Sequence, residues 1–350
     1  MFLFHKFIIP ISHSMILILR FYIISKSNQN YFFFTYTKSH NSFPFVNYLR
    51  WWNQGGLGEK LSFFRERVVD NYIWSLGANS RPDLDFFRKH MTRIISFITL
   101  IDDVYDVYGT LEELERFTEV IDRCDLSSVD SLPDYMKTCF QALYNLVNEM
   151  ASEYPEKNGY NINITSYLMK AWANLCKAFL NEAKWYHSGY TPSFEEYIQN
   201  GVTSSSVPLL LTHSYFLIPN SFKEEEIKNL EEYPDIICFA GKIFRMVNDI
   251  GTYKREDATG DVAKSLQCYM NQSGAPEAEA REHLTSVIHK TWKKFNEATH
   301  NSSFSQGFKN TVRTFVNVAI WSYQRGDGYT IHDPEIQSLI RSLMVQPILP

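Results

Sequence analysis

A chain of 350 residues with 45% hydrophobic and 21% charged residues is long enough for one large core or two smaller ones, and it excludes wholesale disorder or a collagen-like fibre. The net charge of −5 argues against a nucleic-acid partner, since neutralising phosphate backbones needs a basic surface. The five cysteines are odd in number and never form CxxC, which points to a reduced intracellular compartment without a disulfide framework or a zinc or iron–sulfur site.

Residues 1–47 differ from the rest of the chain. Lys6, Arg20, Lys26 and Lys38 precede Arg50, and the first carboxylate is Glu59, so residues 51–350 carry a net −10. Pro10, His13 and Arg20 break the apolar runs. A membrane span needs about 20 unbroken apolar residues, so no transmembrane segment is expected. The basic, Ser-rich composition fits an organelle transit peptide and equally an extension with no folded role. The pattern predicts an atypical extension over 1–47 and a helical domain over 48–350.

From Trp51 onward apolar residues recur with a 3.6-residue period, which predicts an all-α fold. One helix is expected over about 59–76 and another over 84–108. Others are expected over 111–122, 133–152, 162–187, 193–218, 223–232, 234–256, 261–271, 275–296, 304–324 and 333–344. Short joints marked by Pro, Gly or Asn and the lack of an internal repeat exclude a solenoid and favour a globular bundle with enclosed central helices.

Three patterns carry chemistry. Arg65-Glu66-Arg67 lies on the first helix; paired guanidiniums suit phosphate oxygens, although an R-x-R is more often a solvated face. On the second helix, the apolar run through Ile101 ends in Asp102-Asp103-Val104-Tyr105-Asp106. Asp102 and Asp106, four apart, project from one helix face, and carboxylates at a helix C-terminus face the unfavourable end of its dipole. A hard divalent cation such as Mg²⁺ resolves that conflict, completing its shell with water and phosphate. In Arg245-Met246-Val247-Asn248-Asp249-Ile250-Gly251-Thr252-Tyr253-Lys254-Arg255-Glu256, the oxygens of Asn248, Thr252 and Glu256 stack at i, i+4, i+8 beside Arg245. Gly251 costs about 1 kcal/mol against Ala in a helix, so close approach by a ligand or another backbone is expected there. Ser204-Ser205-Ser206-Val207-Pro208 interrupts an apolar helix, and Pro208 predicts a kink by removing a hydrogen bond. His187, His213 and His332 read as ordinary surface or core histidines.

Together these residues resemble the catalytic domain of a plant class I terpene synthase, closest to the angiosperm monoterpene synthase subfamily. Asp102 to Asp106 match its DDxxD motif, Asn248 to Glu256 its (N/D)Dxx(S/T)xxxE motif, and Arg65 to Arg67 its RxR. The strings RWWNQGGLGEKLSF, IDDVYDVYGTLEELERFT and GDVAKSLQCYM are also similar to the family. The resemblance implies a class I α-helical bundle around a central active-site cavity. It implies Mg²⁺, with Mn²⁺ as a substitute, held by Asp102, Asp106, Asn248, Thr252 and Glu256, with Asp103 acting behind them. Substrate would be bound by Arg65, Arg67 and Arg245, together with Asp102, Asp106 and Asn248. Trp74 and Tyr329 would line the pocket, and the break at Ser204–Ser206 would aim carbonyl dipoles into it.

The activity implied is a lyase reaction that ionises geranyl diphosphate and forms a monoterpene through an allylic carbocation. The alternatives are a sesquiterpene synthase using farnesyl diphosphate and a truncated, non-catalytic paralogue. A chain-elongating prenyltransferase would carry a second DDxxD in place of Asn248, Thr252 and Glu256. The resemblance further implies a plastid location, with the cytoplasm as alternative, and a monomer or weak homo-oligomer. The N-terminal helical domain and tandem arginines of full-length relatives are not visible in this sequence.

Overall fold

The computed structural model describes residues 57–61, 67–81, 83–158, 163–219, 223–259, 263–324 and 326–327, the side chains of 59, 68–69, 154–158 and 255–259 excepted. Described residues are helical, turn or irregular, with no strand among them. In chain order the helices are α1 (Leu57–Lys60), α2 (Val68–Ala78), α3 (Asp85–Asp103), a π-helical turn (Val104–Tyr108), α4 (Leu111–Arg123) and α5 (Asp134–Asn158). Next come α6 (Thr165–Ser188), α7 (Phe194–Ser204), α8 (Val207–Leu217), α9 (Glu224–Glu231), α10 (Asp235–Thr259), α11 (Ser265–Ser273), α12 (Glu277–Asn301) and α13 (Gln306–Tyr323). The expected extension over 1–47, the R-x-R residues Arg65 and Glu66, the helix over 333–344 and Tyr329 lie outside the described residues.

The bundle forms around α8. All eleven of its residues are buried, and it touches α3, α6, α7, α10 and α13. A helix apolar on every side belongs at the centre of a core. Its polar side chains are reconciled with burial by bonding to carbonyls one turn back: Thr212 Oγ1 to Pro208 O at 2.8 Å, His213 Nδ1 to Leu209 O at 2.8 Å, and Ser214 Oγ to Leu210 O at 2.7 Å. His213 is less ordinary than the sequence suggested. Its Nε2 has no hydrogen-bond partner, and burial pushes its pKa down to about 4.

The outer helices are fastened by polar pairs as well as apolar contact. Asn71 Nδ2 donates to Ser96 Oγ at 2.8 Å, and the hydroxyls of Ser75 and Thr92 lie 2.9 Å apart, clamping α2 to α3. Arg93 meets Glu149 at 2.7 Å and His90 meets Glu153 at 3.0 Å, tying α3 to α5. A second apolar cluster, including Tyr197, Met246, Tyr253, Leu266, Cys268 and Leu284, gathers where α7, α10, α11 and α12 meet. It supports the C-terminal half of α10. Cysteines 139, 176 and 268 are buried thiols whose pKa desolvation pushes up to about 12. No helix among the described residues is long and apolar enough to cross a membrane.

Three expectations change. The helix predicted over 59–76 is not continuous: α1 ends at Lys60, and Arg67 is irregular backbone that caps α2 rather than a helical residue. The helix predicted over 84–108 is α-helical only to Asp103, because the turn Val104–Tyr108 is wider, of π type. The regular i, i+4 stacking assumed for Asp102 and Asp106 therefore does not hold across that turn. Pro208 does not kink a continuous helix. It sits in the first turn of α8, where its missing N–H would lack an intrahelical partner anyway, and the reversal is made by Ser206 at φ 62°. Such a left-handed conformation costs a non-glycine residue about 1–2 kcal/mol.

Candidate metal and diphosphate site

Asp102 lies half-buried in the last turn of α3, Asp103 is buried beside it, and Asp106 is exposed on the π turn. The turn is held from beneath by Tyr105. Its hydroxyl lies 2.6 Å from Thr118 Oγ1, and its ring lies 5.7 Å from that of Phe179 and 6.2 Å from that of Phe117. Burial raises the Tyr105 pKa well above the ordinary phenol value, keeping it neutral. Beyond it, Thr110 caps α4: Glu113 N donates to Thr110 Oγ1 at 3.4 Å, and Thr110 N donates to Glu113 Oε2 at 2.9 Å. A buried tyrosine and a capping box thus fix both ends of the turn that presents Asp106.

On α10, Arg245 is the organising group. Its Nε donates to Asp249 Oδ1 at 2.7 Å, and its outer nitrogen donates to Asn248 Oδ1. Asp249 is wholly buried and accepts from two further elements: Tyr197 Oη donates to Oδ1 at 3.2 Å and Ser265 N to Oδ2 at 3.1 Å. A buried carboxylate with this many donors is a fixed anchor for the guanidinium. Gly201 on α7 makes room for it, since a Cβ there would stand 2.9 Å from Arg245 Cγ. One turn beyond Asn248, Thr252 Oγ1 donates to Asn248 O at 3.0 Å, which leaves the hydroxyl's lone pairs available. Glu256 continues the same helix, its side chain outside the described residues.

Gly251 has a backbone neighbour, as one branch of the expectation held. A Cβ would lie 3.0 Å from Gly326 O and 3.1 Å from Tyr323 O, so the end of α13 closes onto α10 at this point. Above it, Trp74, Phe244 and Tyr323 form a ring of aromatics with centroids 5.8 to 6.3 Å apart. Trp74 is thereby placed one residue from Arg245 through Phe244. Arg67 is half-buried at the foot of α2. The structure joins Arg245 and Asn248 directly, with Thr252 one turn on, while Trp74 packs on Phe244 and Tyr323. Asp102 and Asp106 belong to a separate element that reaches α10 through α8.

Three residues escaped the sequence reading. Asp249 was visible only as a letter inside a motif, yet it sets the arginine. Glu182 and Lys264, 8% and 6% exposed, form a buried pair with Nζ and Oε2 3.9 Å apart beside the α7–α8 break. The one available signal was a charged residue within the apolar string of α6.

Hard oxygen donors from carboxylate, amide and hydroxyl groups fit Mg²⁺, and neither motif contributes an imidazole or a thiol. Among the described residues no three His, Cys, Asp or Glu side chains gather into one cluster, so the case for a metal rests on the type and spacing of these donors. Residues 53–294 match the metal binding domain of the terpene synthase family, and the chain belongs to that family.

Curated relatives include Terpene synthase 10 of Ricinus communis, 46% identical over 85% of this chain and 54% of its own length. The (−)-α-terpineol synthase of Vitis vinifera is 46% identical over 85% of this chain and 50% of its own length. This chain spans about half the length of the curated relatives it matches. Among solved structures, isoprene synthase from grey poplar, in complex with three Mg²⁺ ions and dimethylallyl-S-thiolodiphosphate, superposes with a TM-score of 0.84 at 41% identity, covering 90% of this chain and 60% of that one. Limonene synthase with 2-fluorolinalyl diphosphate gives a TM-score of 0.84 at 38% identity over 89% of this chain and 57% of the other. These likenesses agree with the all-α class I fold expected from sequence.

Proposed function

We propose that the chain carries out Mg²⁺-dependent ionisation of geranyl diphosphate and releases a monoterpene. The observation that carries this reading is Arg245, locked by buried Asp249 against Asn248, with Thr252 one turn away: a fixed cation beside a face of hard oxygens. Under this reading Asp102 and Asp106 hold metal from one side, and Asn248, Thr252 and Glu256 from the other. The metal, Mg²⁺ or Mn²⁺ in its place, supplies positive charge that offsets the charge developing on the departing diphosphate.

The chain's own residues do the rest. Arg245, and with it Arg65 and Arg67, grips phosphate oxygens, and Asp249 keeps the guanidinium in place so that little reorganisation accompanies C–O cleavage. Asp103, buried behind Asp102, holds the aspartate-bearing turn in position. The allylic cation needs shelter from water and electron-rich neighbours. The face of Trp74, within the aromatic ring around Phe244 and Tyr323, provides one such neighbour, and by resemblance to the family Tyr329 would provide another. Several relatives are named chloroplastic synthases, among them the myrcene synthase of Quercus ilex, and we assign the chain to the plastid by that likeness.

The test is headspace gas chromatography of residues 1–350 incubated with Mg²⁺ and geranyl diphosphate, or separately farnesyl diphosphate, beside an Asp102→Ala control. A volatile C10 product lost in the control supports the reading. Product from farnesyl diphosphate alone replaces it with the sesquiterpene alternative, and no product from folded protein replaces it with a non-catalytic paralogue.

A further inference from the structure

Glu182 is a buried carboxylate of α6 whose partners belong to two other parts of the bundle, the end of α7 and the turn ahead of α11. Its Oε1 accepts Ser204 Oγ at 2.5 Å and Asn200 Nδ2 at 3.1 Å, and its Oε2 lies 3.9 Å from Lys264 Nζ. Asn200 is itself fixed by donating to Ala178 O at 3.1 Å. Ser204 is the last residue of α7, two residues before the left-handed reversal at Ser206. Lys264 directly precedes Ser265, whose N–H holds Asp249 Oδ2 at 3.1 Å, and Asp249 in turn holds Arg245.

A carboxylate taken out of water is tolerated only while its donors stay in place, because each lost partner leaves charge uncompensated in a low-dielectric interior. Glu182 therefore makes the position of the helix break and the position of the Lys264–Ser265 turn depend on each other. The metal motif is fastened to that turn, whereas the break fixes where α8 enters the core. Glu182 touches neither Asn248 nor Arg245, so its influence on them passes through Ser265 and Asp249.

We propose that Glu182 is a positioning residue that ties the Ser204–Ser206 break to the Lys264–Ser265 turn and so sets the Arg245–Asp249–Asn248 group for its diphosphate ligand. This inference rests on the function proposed above.

The experiment compares the full chain with Glu182→Gln, Ser204→Ala and the double variant. Initial rates are taken with geranyl diphosphate at several Mg²⁺ concentrations, product ratios by gas chromatography, and folding by far-UV circular dichroism. Glu182→Gln keeps the shape but removes the charge facing Lys264. It is expected to lower kcat/KM roughly 10–100-fold, the usual range for partners lying behind the ligands, with a raised KM or an altered product ratio and unchanged helicity. Ser204→Ala should move the same parameters in the same direction, and the double variant should be little worse than Glu182→Gln alone. A purely structural glutamate would scale total activity with the folded fraction and leave KM and product ratio untouched, and that result overturns the proposal. Should Glu182→Gln fail to fold, Ser204→Ala decides, and wild-type parameters in it overturn the proposal. A folded but inactive wild type overturns the functional reading and this inference with it; an active wild type with an unchanged Glu182→Gln overturns this inference alone.

Discussion

His213 makes the stability of the bundle depend on mild acid. The side chain is 1% exposed at the centre of α8, its Nδ1–H donates to Leu209 O, and its ring meets Trp172 edge-on at 5.9 Å. Burial lowers its pKa to about 4; the bond to Leu209 O opposes the shift and nearby His90 adds to it. An unfolded histidine titrates near 6.5, so between these values the unfolded chain binds the extra proton and the folded one does not. Stability is therefore complete above about pH 6.5 and falls as the pH drops toward 4. At pH 4.5 the loss from this residue amounts to roughly 2–3 kcal/mol.

The assay is urea unfolding of wild type and His213→Leu at pH 7.5, 5.5 and 4.5. His90, whose pKa burial also lowers, and Glu153, held at about 2 chiefly by its hydrogen bond from His90, titrate in both proteins and cancel in the comparison. Leucine fills the site, and Leu209 O keeps its place in the helix ladder. The wild type should lose roughly 2–3 kcal/mol more than the variant between pH 7.5 and 4.5, with equal m-values. Equal pH slopes for the two proteins would refute the argument that His213 is buried neutral.

Asp106→Asn, at an exposed position, should leave the thermal midpoint unchanged while raising the Mg²⁺ needed for half-maximal turnover by roughly tenfold or more, read from metal titrations of initial rate. Asp249→Ala removes the buried carboxylate to which Arg245, Tyr197 Oη and Ser265 N donate, and a loss of about 3–5 kcal/mol is expected in chemical denaturation. Gly251→Ala drives a methyl group against Tyr323 and Gly326; a destabilisation of about 1–3 kcal/mol is expected in the same assay.

The sequence announced its helices through apolar spacing, and it announced α8 through the lack of any polar face. The two candidate metal motifs were legible because their spacing is local: Asn248, Thr252 and Glu256 fall at i, i+4 and i+8 of one helix. What spacing could not carry was anything set by another element. The π turn is invisible to a 3.6-residue count, since the residues from Val104 to Tyr108 read as ordinary helix until Tyr105 is anchored on α4 and α6. Pro208 looked like the cause of the break, but proline is neutral in a first turn, and the conformation that costs energy falls on Ser206. Asp249 drew no notice because its donors, Tyr197 and Ser265, lie far away in sequence. Gly251 was read correctly as a point of close approach, though only the fold identified the approaching chain as the end of α13.

The π turn under Asp106 also bears on how this end of the chain can be remade. A π turn is an α-helix that has absorbed a surplus residue, so the bearing of everything beyond it depends on chain length as well as on composition. Removing one residue of the turn ahead of Asp106 other than the anchoring Tyr105 would rotate Asp106 by roughly 100° about the axis relative to Asp102, a rearrangement no exchange of one side chain for another produces. Libraries of substitutions therefore explore only one setting of these carboxylates, and a single-residue deletion is the smallest edit that reaches another.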